Sequence, residues 1–172
     1  MIDFGWGALL LAYITVQRVG ELRWATQNER RLFKSGGIEF GRRHLVLLVL
    51  LHAAWVAGLW GLAYDRSVQP IFLALFVIVQ VARFWVLIAL GRRWTIRIIV
   101  VPGERLVACG PYRFLRHPNY AVVTLEIAIV PLALGLPIYA LIFSILNAAV
   151  LAIRISAENT ALAAAVFDRR ST

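Results

Sequence analysis

Long apolar runs separated by shorter polar stretches dominate the chain. Crossing a bilayer as a helix takes about 20 mostly apolar residues. Five runs approach this length: 4 to about 18, 44–63 with only His52 interrupting, 70–90 carrying Gln80 and Arg83, about 119–134, and one starting near Ile138. Leu134-Gly135-Leu136-Pro137 joins the last two, a link that allows only a tight helical hairpin. The fifth run has no breaker before Asp168, so as a helix it outruns the bilayer core and its end projects into water. The pattern predicts a single all-α integral membrane domain over residues 1–172, with about five transmembrane helices.

Two polar segments carry further signals. Residues 21–33 are good helix formers and are followed by Ser35-Gly36-Gly37, so the first helix is expected to continue past its span and stop at those glycines. Residues 92–116 are long for a structureless loop. There, 96–101 and 106–107 flank the turn signal Pro102-Gly103-Glu104, which predicts a short hairpin over the cytoplasmic face before the fourth span. No internal repeat or low-complexity tract is visible.

Composition narrows the class. The chain is 61% hydrophobic and 16% charged, with mean hydropathy +0.78. Ordinary soluble domains are about 45–50% apolar and about 25% charged, and disordered chains are poor in aliphatics and aromatics; both are excluded. The charge is lopsided, 18 Lys+Arg against 9 Asp+Glu, which by itself fits nucleic acid or a membrane surface. Placement decides between them. Arg23, Arg30, Arg31, Lys34, Arg42 and Arg43 lie between spans one and two. Arg92, Arg93, Arg97, Arg105, Arg113 and Arg116 lie between spans three and four, and Arg169 and Arg170 close the chain. The other connections hold only Arg66, beside Asp65, and no charge at all. The positive-inside rule makes the basic segments cytoplasmic, with the N-terminus outside and the C-terminus inside. Topology accounts for the charge, so no nucleic-acid partner is expected. A lone cysteine, Cys109, excludes an intrachain disulfide and a Cys-rich metal site; it reads as a buried or half-buried small residue, and no metal is expected. The start lacks a basic leader and a small-x-small cleavage site, so the first span reads as retained.

Ionisable residues inside spans are expensive and mark functional candidates. Arg18 and Glu21, three apart, can pair on one helix face. Arg83 reads either as a snorkelling cation or as functional, and His52 as a neutral ring bonding a neighbouring helix. Glu126 lies two turns inside span four and needs a partner or a watery cavity. Asn119 and Glu126 share a face, as do Asn147, Arg154 and Glu158 on the fifth helix. Since the two helices form a hairpin, a single pocket lined by these five and open to the cytoplasm is expected, with a structural polar network as the alternative.

Immediately before span four stands Gly110-Pro111-Tyr112-Arg113-Phe114-Leu115-Arg116-His117-Pro118-Asn119-Tyr120. Gly110-Pro111 breaks the preceding structure, and Pro118 suits the first position of a helix. Arg116 and His117 then flank exposed backbone N–H groups, a place for a carboxylate or phosphate. Gly-Pro-Tyr, Arg-His-Pro-x-Tyr, a helical hairpin and then Arg154-x-x-x-Glu158 resemble the isoprenylcysteine carboxyl methyltransferase family over about residues 85–165. More weakly, Gln17-Arg18-Val19-Gly20-Glu21-Leu22 and Gly37-Ile38-Glu39-Phe40-Gly41 resemble its bacterial branch that methylates alkylpyrones.

The resemblance implies an integral membrane methyltransferase that uses S-adenosylmethionine, releases S-adenosylhomocysteine and works on the cytoplasmic side of a bacterial inner membrane. It places His117 and Tyr120 at the cofactor, shaped by Arg116, Pro118 and Asn119, and Arg154 and Glu158 at the active site. Many members carry a second Glu where this chain has Asn159, which would have to contact the cofactor as a neutral acceptor. An ionised carboxylate or enol acceptor needs no base, whereas a phenol needs one, for which Glu126 or Glu158 is the candidate. A lipophilic acceptor would enter sideways from the bilayer lipids. Rival expectations are a phospholipid N-methyltransferase, an NADPH-dependent membrane reductase and a non-enzymatic membrane partner protein.

Overall fold

The computed structural model describes residues 5–104 and 107–168, side chains included except at Arg43, His44 and 163–168. The expected start of span one at Phe4, together with Arg105, Leu106, Arg169 and Arg170, lies outside the described residues. Five helices run along the chain: α1 Trp6–Lys34, α2 Arg42–Ala63, α3 Pro70–Leu90, α4 Pro118–Ala133 and α5 Pro137–Asp168. Two short strands, β1 Ile38–Phe40 and β2 Ile98–Val100, and 3-10 turns at Gly91–Arg93 and Gly110–Arg113 complete the described elements.

Helix limits follow local chemistry. Pro70 and Pro118 open α3 and α4, where the missing N–H costs nothing. α1 ends at Ser35 with Gly36 at φ 82°, as the glycine signal predicted. Gly135, at φ 70°, turns α4 into α5 across three residues, which is the expected hairpin. α5 has 32 residues, about 48 Å at 1.5 Å per residue.

The helices are inside-out relative to a water-soluble bundle. On α3, Ile88 is 77% exposed and Ile78 64%, whereas Arg83 is 1% exposed and Gln80 6%. Apolar side chains facing out and polar ones facing in describe a protein solvated by lipid. Three stretches are long and apolar enough to cross a membrane: Leu45–Ala63, Pro70–Arg93 and Pro137–Leu162. α4 is equally apolar but only 16 residues long. α1 breaks the apolar pattern because Gln17, Arg18 and Glu21 occupy its inward side.

One apolar core gathers Leu11 and Ile14 of α1, Trp55 and Leu59 of α2, Phe76 of α3, and Ile127 and Val130 of α4. α5 locks onto α2 through Tyr139, whose hydroxyl donates to the Trp55 carbonyl at 2.9 Å. Gly58 makes this possible, since a Cβ there would lie 2.3 Å from that hydroxyl oxygen.

Beside this core sits a buried ionic cluster. Arg83 of α3 donates to both oxygens of Glu21 on α1 and to Oε2 of Glu126 on α4. Arg18 also reaches Glu126 Oε2, at 2.7 Å, and stands 3.7 Å from Glu21. Gln80 donates to Glu126 Oε1 at 2.8 Å, and Gln17 donates to Gln80 at 3.0 Å. The expected Arg18–Glu21 pair is present. Arg83 does not snorkel, because two carboxylates hold it in the interior. His52 turns its Nδ1 to the Leu48 carbonyl of its own helix at 2.8 Å, not to a neighbouring helix.

Two expectations about the polar segments are corrected. β2 does not fold back on residue 107 as a hairpin; it pairs antiparallel with β1, Glu39 opposite Ile99. Arg97 explains the choice. It donates to both oxygens of Glu39 at 2.9 Å and to Glu29 of α1 at 3.1 Å, tying the segment to the end of α1. Gly37 allows the approach, since a Cβ would lie 2.7 Å from Ile99 and 2.8 Å from the Leu32 carbonyl. Cys109 is exposed rather than buried, because it caps the 3-10 turn at Gly110–Arg113, outside the helix core.

Arg83→Met would leave two buried carboxylates sharing the single guanidinium of Arg18. We expect it to lower the unfolding free energy by about 3–5 kcal/mol, measured by SDS titration of the protein in detergent micelles. Ile88→Ala, on the outward face of the same helix, is expected to change it by no more than about 0.5 kcal/mol.

Candidate active site

The segment before α4 is shaped by its glycine and prolines. Gly110 has φ 57° and approaches α3 so closely that a Cβ would lie 3.1 Å from Ala89 and 3.2 Å from the Trp85 ring nitrogen. The 3-10 turn Gly110–Arg113 is thereby pinned to α3 with Pro111 buried. The chain then enters α4 with His117 as N-cap and Pro118 as first residue. His117 and Tyr120, three apart at this helix start, stack at 5.3 Å and 21°.

Tyr120 joins α4 to α5. Its hydroxyl donates to Glu158 Oε2 and accepts from Arg154 Nε at 2.9 Å. Arg154 and Glu158 are four apart on α5 and so share a face. Arg154 also donates through Nη2 to the Ile96 carbonyl, and its guanidinium carbon lies 5.7 Å from the Tyr120 ring centre. His117 Nδ1 is 3.8 Å from Glu158 Oε2. Among the described residues, no carboxylate lies within ion-pairing distance of Arg154.

Two cavities meet at this cluster. The first, about 250 Å³, has Arg116, His117, Glu158 and Tyr112 on one side and Ile98 to Val100 of β2 on the other. Its wall holds Asn119, whose Oδ1 is buried with no hydrogen-bond partner among the described residues. Burial, aided by the Glu158 charge, pushes the Tyr112 phenol well above its ordinary pKa, so it stays a neutral hydroxyl. The second cavity, about 380 Å³, is mainly apolar, with Val19 and Leu22 of α1 and Val49, Ala53 and Val56 of α2 in its wall. Val19, Leu22 and Val49 are also exposed outward, so the cavity opens along the α1–α2 side. Trp94, Thr95, Asn119, Tyr120 and Arg154 line both cavities and form the partition between them.

The five-residue pocket expected from the helix faces is therefore divided. Asn119, Arg154 and Glu158 do meet around the first cavity, with Arg116, His117 and Tyr120. Glu126 does not join them, because Arg83 and Gln80 from α3 and Arg18 from α1 satisfy it. Asn147 is fully buried, and its amide faces Thr124 of α4 at 3.4 Å. Pro118, the first residue of α4, is buried. Asn159 is exposed and borders neither cavity, since one residue beyond Glu158 is about 100° around the helix. Sequence reasoning missed Trp94, Thr95 and Tyr112 as lining residues. Gln80 and Arg83, three apart in an otherwise apolar run, were the visible signal for the ionic cluster.

Residues 72–164 match the isoprenylcysteine carboxyl methyltransferase (ICMT) family. Over 159 residues the chain is 41% identical to an uncharacterized protein, YpbQ, of Bacillus subtilis, covering 90% of this chain and 95% of that one. It is 28% identical over 170 residues to an uncharacterized protein of Haemophilus influenzae, covering 90% and 93%. No solved structure matches.

Tyr120→Phe removes the oxygen that Arg154 and Glu158 share, leaving a buried guanidinium N–H without its acceptor. We expect the unfolding free energy to fall by about 1–3 kcal/mol, read in the same SDS titration.

Proposed function

This chain belongs to the isoprenylcysteine carboxyl methyltransferase family of membrane methyltransferases, and from that premise we propose that it uses S-adenosylmethionine to methylate an oxygen of a lipophilic acceptor. The acceptor class is an alkylpyrone- or alkylresorcinol-like ring, or a prenylcysteine-like carboxylate. The observation that carries the reading is the partition: a cavity with polar and charged groups in its wall and a nearly wholly apolar one share Asn119, Tyr120 and Arg154. Two reactants of opposite polarity can then approach one point from two phases.

The first cavity suits the cofactor. Arg116, beside the first turn of α4, is placed for a carboxylate. Glu158 offers a carboxylate for an ammonium or ribose hydroxyls, and the orphaned Asn119 oxygen a further acceptor. The β2 aliphatics give an apolar surface opposite. When bound, S-adenosylmethionine supplies an electrophilic methyl carbon on a positively charged sulfur.

The chain's own residues then have little chemistry to do beyond placement, which supplies much of the rate in a displacement of this kind. Tyr120, fixed by two hydrogen bonds, keeps Arg154 and Glu158 in one orientation at the partition. Arg154, free of any carboxylate partner among the described residues, holds an oxyanion of the acceptor. Glu158 takes a proton where the acceptor arrives protonated, through Tyr120 as the shared hydroxyl. Glu126 keeps its place in the ionic cluster and holds helices rather than reactants. All five helices cross the bacterial inner membrane, with the N-terminus outside and the first cavity facing the cytoplasm.

The test is methyl-labelled S-adenosylmethionine incubated with purified protein and a lipid extract, followed by identification of the labelled product. Label in an oxygen-linked methyl group is expected. Label on phospholipid nitrogen, or stabilisation by NADPH in place of S-adenosylmethionine, would replace this reading with another. Arg154→Ala and Glu158→Gln are each expected to lower turnover at least about 100-fold with the fold retained. His117→Ala is expected to weaken S-adenosylmethionine binding about tenfold by calorimetry.

A further inference from the structure

The geometry points to Arg18 as the residue that selects an anionic head group in the apolar cavity, a step that rests on the methyltransferase reading and goes beyond it. Arg18 stands on α1, outside the segment that matches the family. It belongs to the ionic cluster but is its least committed member. Arg83 takes both oxygens of Glu21 and one of Glu126, and is 1% exposed. Arg18 shares that same Glu126 oxygen, lies 3.7 Å from Glu21, and keeps 20% of its side chain exposed where it lines the apolar cavity. A guanidinium has five N–H donors, and Glu126 occupies one face of this one.

The charges that face the cavity are mostly positive. Arg18, Arg83 and Arg154 line it against Glu21, with Glu126 behind Arg83. Of the other titratable groups in its wall, His52 spends its Nδ1 on a backbone carbonyl, and the Tyr120 hydroxyl bonds Arg154 and Glu158. Three cations against one carboxylate form the wall itself, with Glu126 behind Arg83 and Glu158 behind Tyr120, so positive charge faces the cavity in an apolar surround where charges interact strongly. An ammonium head is repelled there. A head carrying one negative charge, a carboxylate or an enolate on an apolar tail, is attracted from both sides, by Arg154 at the partition and Arg18 on α1.

The chemistry agrees with this choice. An anionic oxygen uses its own lone pair to form the bond to the methyl carbon while the carbon–sulfur bond breaks and its electrons return to sulfur. The products are a neutral ester or enol ether and a neutral thioether, and no proton moves. Methylation thus erases the charge that Arg18 holds, so the product binds more weakly than the substrate and leaves.

The experiment measures binding, in nanodiscs with empty discs as reference, of a long-chain 4-hydroxy-6-alkyl-2-pyrone above its enol pKa and of its 4-methyl ether. The wild type is expected to prefer the anion at least about tenfold, the size of one charge-assisted hydrogen bond. Arg18→Gln is expected to abolish most of that preference and Arg18→Lys to keep most of it. Leu22→Glu, which puts a carboxylate four residues from Arg18 in the same cavity wall, is expected to reduce it by pairing with Arg18 while Arg83 keeps Glu21 and Glu126. S-adenosylmethionine affinity, measured alongside, stays unchanged in all three. Equal binding of the two probes to the wild type, or an undiminished preference in Arg18→Gln and Leu22→Glu, overturns the inference. Methyl transfer to the pyrone is read separately. Transfer with a preference independent of Arg18 refutes Arg18 and leaves the methyltransferase reading, whereas an Arg18-dependent preference in a protein that methylates neither the pyrone nor anything in the lipid extract refutes that reading and leaves the anion site.

Discussion

The guanidinium of Arg83, held between Glu21 and Glu126, is the interaction on which the arrangement of α1, α3 and α4 depends. Between helices surrounded by lipid, apolar burial gives little drive, so packing and interhelical polar contacts must set the geometry. A buried ion pair is costly to assemble and more costly to break, because the surviving partner has no water. The cluster is therefore a register mark: one arrangement satisfies every charge, and others leave a carboxylate bare in an apolar interior.

That register has a consequence for the site. α1 packs chiefly on α2, and long polar side chains bridge from it to α3 and α4. The space left beside those side chains is the apolar cavity. At its other end, Tyr120 does for α4 and α5 what Arg83 does for α1, α3 and α4, fixing two side chains through one group. The partition between the cavities is thus held by hydrogen bonds from both ends, with Trp94 and Thr95 completing it.

Much of this was legible in the chain. Long apolar runs, proline at helix starts and glycine at helix ends located all five helices, because each is a local requirement of backbone hydrogen bonding. The motif around Arg116, His117, Pro118 and Tyr120, with Arg154 and Glu158 four apart, pointed to one end of the helical hairpin. Pairing across distant segments was not legible. β2 meets β1 instead of the nearer residue 107 because Arg97 finds Glu29 and Glu39, 68 and 58 positions away. Neither partner announces itself in the local pattern.

The division of the polar residues shows where sequence stops. By spacing alone Glu126 belonged with Arg154 and Glu158, since all face the hairpin and share its polar stripe. A helix face, however, is wide enough to serve two neighbours, and only the tertiary structure says which cation arrives first. Arg83 and Arg18 reach Glu126 from α3 and α1, so it became part of the frame, while Arg154 was left without a carboxylate partner among the described residues. The sequence by itself determined a basic-ended, lipid-solvated helical protein and the residues near its chemistry, because hydropathy and helix signals act locally. Which charges neutralise one another, and which remain for a ligand, was decided by packing, because compensation of a buried charge depends on whatever group lies within a few ångströms.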